Sequence, residues 1–94
     1  MKIVINKCFG GFSLSQTALD WFVLIGGSRE TAWGRGRDIK RDNPFLVDVV
    51  EKLGEQSWGG AAQLKVVEIP DNVEWEIEEY DGREWVAEKH RTWS

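Results

Sequence analysis

VEWEIEEYDGREWVAEKHR, residues 73–91, has the pattern of a β-hairpin. Asp81-Gly82 is the dipeptide that most readily supplies two consecutive positive φ angles, so it marks a two-residue type I′ turn joining two strands. That turn sets the register of residues 73–80 against 83–91: Tyr80 faces Arg83, Ile77 faces Val86, Trp75 faces Glu88 and Glu74 faces Lys89. Val73, Trp75, Ile77 and Val86 then share one face, and Glu74, Glu76, Glu78 and Lys89 the other, the alternation of a sheet with one wet side. Upstream, residues 63–69 are strand-like and turn at Pro70-Asp71-Asn72.

The N-terminal half adds a strand and two helices. Residues 2–9 carry the β-branched run Ile3-Val4-Ile5 and stop at Gly10-Gly11. Ser13 or Ser15 can cap a helix over about residues 14–24, with Leu14, Ala18, Phe22 and Ile25 along one side and Gly26-Gly27 ending it. Asp42 or Asn43 as cap and Pro44 at the first helical position open a second helix, whose stripe is Phe45, Val49, Val50 and Leu53 up to Gly54. Residues 28–41, with no apolar period and with Gly34 and Gly36, read as a mobile basic loop. The expected architecture is α+β in one domain over residues 1–94: an antiparallel sheet that includes a C-terminal β-hairpin, with two helices packed on one face.

Ninety-four residues leave room for one small core, which excludes two-domain enzyme folds. No apolar run is long enough to span a bilayer and no secretory signal is visible, so the chain is expected in the cytoplasm. Cys8, the single cysteine, rules out an intrachain disulfide framework and any multi-cysteine zinc site. The net charge of −4 is unevenly spread: residues 29–41 hold five basic residues against two acids, while residues 66–94 hold nine acids against three basic residues. Such a chain attracts neither long nucleic acid nor an anionic membrane surface. Six tryptophans exceed what so small a core can enclose, which points to an interface or a binding site.

Catalytic groups are sparse. His90 and Cys8 are the one imidazole and the one thiol, so a nucleophile–base pair requires that these two meet, whereas a lone Cys ordinarily fills a small apolar gap. The run Glu74, Glu76, Glu78 and Glu79 has the spacing of a solvated strand face and forms no compact cation loop. Neither a catalytic residue nor a metal site is assigned. The basic loop offers more: Arg35 and Arg37 supply guanidinium forks for phosphate, the glycines between them allow close backbone approach, and Trp33 offers a flat face for a base. Lys89, His90 and Arg91, beside Trp93, form a second cluster able to hold a phosphate.

The segments VINKCFGGFSLS (residues 4–15), DNPFLVDVVEKLG (42–54) and LKVVEIPDNVEWEIEEYDGREWVAEKHRTW (64–93) resemble a family of small phage and prophage proteins, the first type of Thoeris anti-defence sponge. The resemblance spans nearly the whole chain. It implies a homo-oligomer, dimer or higher, without cofactor or enzymatic activity. Such a protein binds cyclic ADP-ribose isomers in the cytoplasm of an infected bacterial host and sequesters them without cleavage, and some members also take up cyclic oligonucleotides at separate sites. The family's C-terminal basic element matches Arg91 in HRTW, and its glycine-rich segment matches Phe9, Gly10, Gly11 and Phe12. The central stretch SRETAWGRGRDIKRDNP departs from the family pattern, so Trp33, Arg35 and Arg37 rest on the chemistry of their side chains alone. Two other functions suit the residues: a module that engages a host protein through the acidic hairpin face, and a small hydrolase acting on the signal through His90.

Overall fold

A computed structural model describes residues 1–88. In chain order the elements are β1 (Lys2–Asn6), α1 (Gln16–Leu24), α2 (Arg29–Ala32), α3 (Pro44–Leu53), β2 (Leu64–Glu68), β3 (Trp75–Tyr80) and β4 (Arg83–Glu88), with 3₁₀ turns at Trp33–Gly36 and Gly54–Ser57. The architecture is α+β with a C-terminal hairpin, as the sequence predicts. The four strands, however, form two separate antiparallel ladders, β1–β2 and β3–β4, instead of one continuous sheet. Alternation along a strand specifies its two faces but not its neighbour.

The hairpin has the register that its turn dictates. Tyr80 pairs with Arg83, Ile77 with Val86 and Trp75 with Glu88, around Asp81 at φ 55° and Gly82 at φ 93°. The pair expected between Glu74 and Lys89 lies outside the described residues. Trp75, Ile77 and Val86 are half-buried on one face, while Glu74, Glu76 and Glu78 are exposed.

Both long helices begin where their caps place them. The Ser15 hydroxyl accepts the amide N–H of Ala18 at 3.1 Å, so Ser15, not Ser13, is the cap. Leu14 therefore precedes the helix and pairs with Trp58 in an isolated bridge. Asn43 Oδ1 accepts from the amides of Phe45 and Leu46, Pro44 occupies the first turn, and Gly54 at φ 56° ends α3. The buried side of α3 is Leu46, Val47, Val49 and Val50, one step around from the expected stripe, with Phe45 on its exposed rim. These residues pack with Ala18, Leu19 and Phe22 of α1 and with Val4 and Leu64 of the β1–β2 ladder. Ile3 and Ile5 are also buried but point to the ladder's other face, outside that cluster.

The stretch expected to be a mobile loop is structured. Ser28 caps the short α2, and Ile39, only 2% exposed, inserts into the helix-side core. Gly36 at φ 82° lies so close to Leu14 that a Cβ there would sit 2.6 Å from a Leu14 methyl. Arg41, at the end of this stretch, returns to β1: the Val4 amide donates to its carbonyl at 2.9 Å. Two residues on, the Asn6 amide donates to Glu84 Oε1 of β4 at 2.8 Å. Both oxygens of Glu84 accept from the Arg41 guanidinium, Oε2 at 2.9 Å, and that guanidinium stacks 3.8 Å from the centroid of the Phe12 ring.

Asn6 completes the junction. Its fully buried side chain donates to the carbonyls of Cys8 and Gly82 and accepts from the amides of Cys8 and Gln63. A buried amide with every partner in place holds the hairpin turn, β1 and the start of β2 in one arrangement.

Candidate functional site

The structured basic stretch builds a recess of about 460 Å³ against the outer side of α1. Ser28 starts it: its hydroxyl accepts from the Glu30 amide, while Thr31 Oγ1 donates back to the Ser28 carbonyl. After α2, Gly34 (φ 67°, ψ 32°) and Arg35 (φ 64°, ψ 26°) both adopt left-handed backbone. For Arg35 that conformation is strained, since a Cβ crowds its own carbonyl there. The bond from the Leu14 amide to the Arg35 carbonyl, 3.0 Å, and the seating of Gly36 under Leu14 hold the strained turn in place.

The turn brings Trp33, Arg35 and Arg29 onto one recess, closed from α1 by Gln16, Leu19 and Asp20. Trp33 is 77% exposed, so its indole is open to a ligand ring. Among the described residues neither Arg29 nor Arg35 is in an ion pair, whereas Arg41 is fully engaged with Glu84. Gln16 Nε2 donates to Asp20 Oδ1 at 2.9 Å, leaving the second carboxylate oxygen as an acceptor for a hydroxyl or an exocyclic amine. Two guanidinium forks, one flat indole and one oriented acceptor are the groups that a phosphorylated nucleoside engages.

The other residues singled out in the sequence are dispersed. Arg37 is exposed but does not line this recess. Phe12 is buried, its ring lying beneath the Arg41 guanidinium. Gly10 and Gly11, at φ 130° and 92°, form a turn docked on the hairpin turn: the Gly10 amide donates to the Asp81 carbonyl, and a Cβ on Gly82 would sit 2.4 Å from the Gly11 nitrogen. Phe9 is exposed and lines a different recess, between the β1–β2 ladder and the hairpin. Lys89, His90 and Arg91 lie outside the described residues, and with His90 goes any geometry for a pair with Cys8.

Arg29 and Asp20 escaped the sequence reading because each belongs to a helix whose outer side becomes relevant only once α2 folds beside α1. The second recess had a visible signal: the hairpin register places Tyr80, Arg83 and Trp85 on one face. No group of three or more His, Cys, Asp or Glu side chains suited to a metal occurs among the described residues, and no helix among them is long and apolar enough to cross a membrane. Comparison with protein-family models, with curated proteins and with solved structures finds no match.

Proposed function

We propose that this protein binds a compact phosphorylated nucleotide of the cyclic ADP-ribose class and withholds it intact, as a homo-oligomeric anti-defence protein of phage type in the cytoplasm of an infected bacterium. The observation that carries this reading is the convergence of Trp33, Arg29 and Arg35 on one recess. Its volume falls in the range of roughly 300–1,000 Å³ typical of small-molecule sites. The guanidinium groups meet the pyrophosphate, Trp33 stacks on the adenine, and Asp20 accepts from a ribose hydroxyl or the adenine amine. No bond of the ligand need break for such a protein to act, because lowering the free concentration of a signal is enough.

Magnitudes say what else the site requires. Charge-assisted hydrogen bonds contribute about 1.5–3 kcal/mol each and a stacked base about 1–3 kcal/mol. Two forks and one ring therefore total on the order of 10 kcal/mol, from which association removes at least about 4 kcal/mol. The remainder corresponds to a Kd in the tens of micromolar. Retention at nanomolar level needs further contacts, and the resemblance supplies candidates in Arg91, with His90 and Lys89, and in a second copy of the chain.

The test is to incubate the protein with a cyclic ADP-ribose isomer, wash, denature and analyse what is released. Intact ligand is the expected result. Altered ligand makes the protein an enzyme, and no retained ligand ends the reading. Arg35→Ala and Arg91→Ala should each weaken retention by about tenfold or more, the loss of one charge-assisted contact.

A further inference from the structure

We propose that the recess between the β1–β2 ladder and the hairpin is a second, separate binding site, for a ligand of the nucleoside diphosphate class: one planar ring carrying two linked phosphates. Lys7, Lys65 and Arg83 supply its charge, and Phe9, Tyr80 and Trp85 its aromatic surface, around a volume of about 460 Å³. Glu84 is the one carboxylate in the lining, and it is already committed to Arg41 and to the Asn6 amide. The three cations therefore stand uncompensated: among the described residues none of them is in an ion pair.

Three like charges around one recess repel one another, and a diphosphate bearing about three negative charges at neutral pH relieves that repulsion while offering oxygens to an Arg fork. The aromatic groups are placed for a ring. Phe9, Tyr80 and Trp85 are each exposed, which is ordinary for one aromatic but not for three converging on the same hollow. Trp85 is held in orientation, since its indole N–H donates to Glu78 Oε1 at 3.0 Å, so little side-chain freedom is lost when a base stacks on it.

The surroundings limit the ligand's size. Glu76 and Glu78 share the face of β3 that carries Tyr80, and both are exposed. A polyanion continuing along the hairpin would meet these carboxylates, which favours a small ligand ending inside the recess over a nucleic acid strand. None of the residues belongs to the Trp33 recess, so this site stands or falls independently of the function proposed above.

Calorimetric titration of the full chain with ADP, adenosine and pyrophosphate tests it. ADP is expected to bind, with adenosine and pyrophosphate each at least about tenfold weaker because each engages one half of the site. Arg83→Ala and Lys65→Glu, both at exposed side chains, should weaken one ADP-binding event by about tenfold or more while the melting temperature stays at the wild-type value, and that event should persist in Arg35→Ala, which weakens only ADP held at the Trp33 recess. Absence of ADP binding overturns the proposal, as does binding that Arg35→Ala abolishes and Arg83→Ala does not. Pyrophosphate binding as tight as ADP overturns the role of the aromatic groups, and an acidic aromatic peptide that binds where ADP does not makes the recess a protein-recognition surface instead.

Discussion

Arg41→Ala should destabilise the fold far more than removal of any charged side chain among the described residues other than its partner Glu84. Arg41 and Glu84 are 16% and 8% exposed, and Glu84 has one further partner, the Asn6 amide. Taking away the guanidinium leaves a carboxylate nearly out of water with a single N–H to satisfy it, a situation that typically costs about 3–5 kcal/mol. The lost stacking on Phe12 adds about 0.5–2 kcal/mol. A domain of this size has a total stability of about 5–15 kcal/mol, so the variant stands close to unfolding. Urea unfolding followed by circular dichroism measures the difference, with Lys52→Ala as the internal control. Lys52 pairs with Asp48 on the surface of α3 at 3.3 Å, and its loss should register below about 0.5 kcal/mol. Replacing both buried partners together, as Arg41→Met with Glu84→Leu, should not restore wild-type stability. The Asn6 amide would then face hydrocarbon with no acceptor, a penalty of about 1–3 kcal/mol. A loss below about 1 kcal/mol for Arg41→Ala would show instead that the pair is worth no more than a solvent-exposed one.

Two further outcomes follow from local geometry. Arg35→Gly removes a side chain from a left-handed backbone position, so melting should show stability unchanged or raised within about 1 kcal/mol while nucleotide retention falls; a clear loss of stability would mean that the Arg35 side chain holds the turn. The Asp71 carboxyl lies below its ordinary value of 3.8 because the N-terminal ammonium donates to it at 2.5 Å. Its contribution to stability is therefore present above pH 3.8 and is lost as pH falls through the depressed folded value, so a carbon-detected titration should find Asp71 titrating below 3.8, and a value at or above 3.8 would show that the pair does not form in solution.

Much of the chain was legible because it carries local signals. Asp81-Gly82 announces its own turn type, and the register follows by counting. Asn43-Pro44 and Gly54 bracket α3 because cap, first turn and stop each demand particular residue types. What was not legible depends on partners far apart in sequence. Ile39 is a lone apolar residue among charges and carries no period, yet it anchors the segment that aims Trp33 and Arg35. Arg41 looks like one more loop cation until Glu84, 43 residues later, comes to meet it. The pairing of strands into two ladders was equally hidden, because Asn6 and Glu84 decide it through side-chain bonds that no alternation reveals. At the candidate site, Trp33 and Arg35 were found by chemistry alone, while Arg29 and Asp20 needed the fold.

The outward edge of β1 is a strand edge with a guard on it. Of its outward-facing amides, those on Val4 and Asn6 are taken by a carbonyl and a carboxylate that belong to no strand beside it, so another chain finds no long run of open donors to extend the ladder. If the hairpin lifts away, Glu84 leaves with it and the Asn6 amide becomes an invitation to intermolecular β-pairing. The covering of this edge is thus tied to the same docking that shapes the second recess.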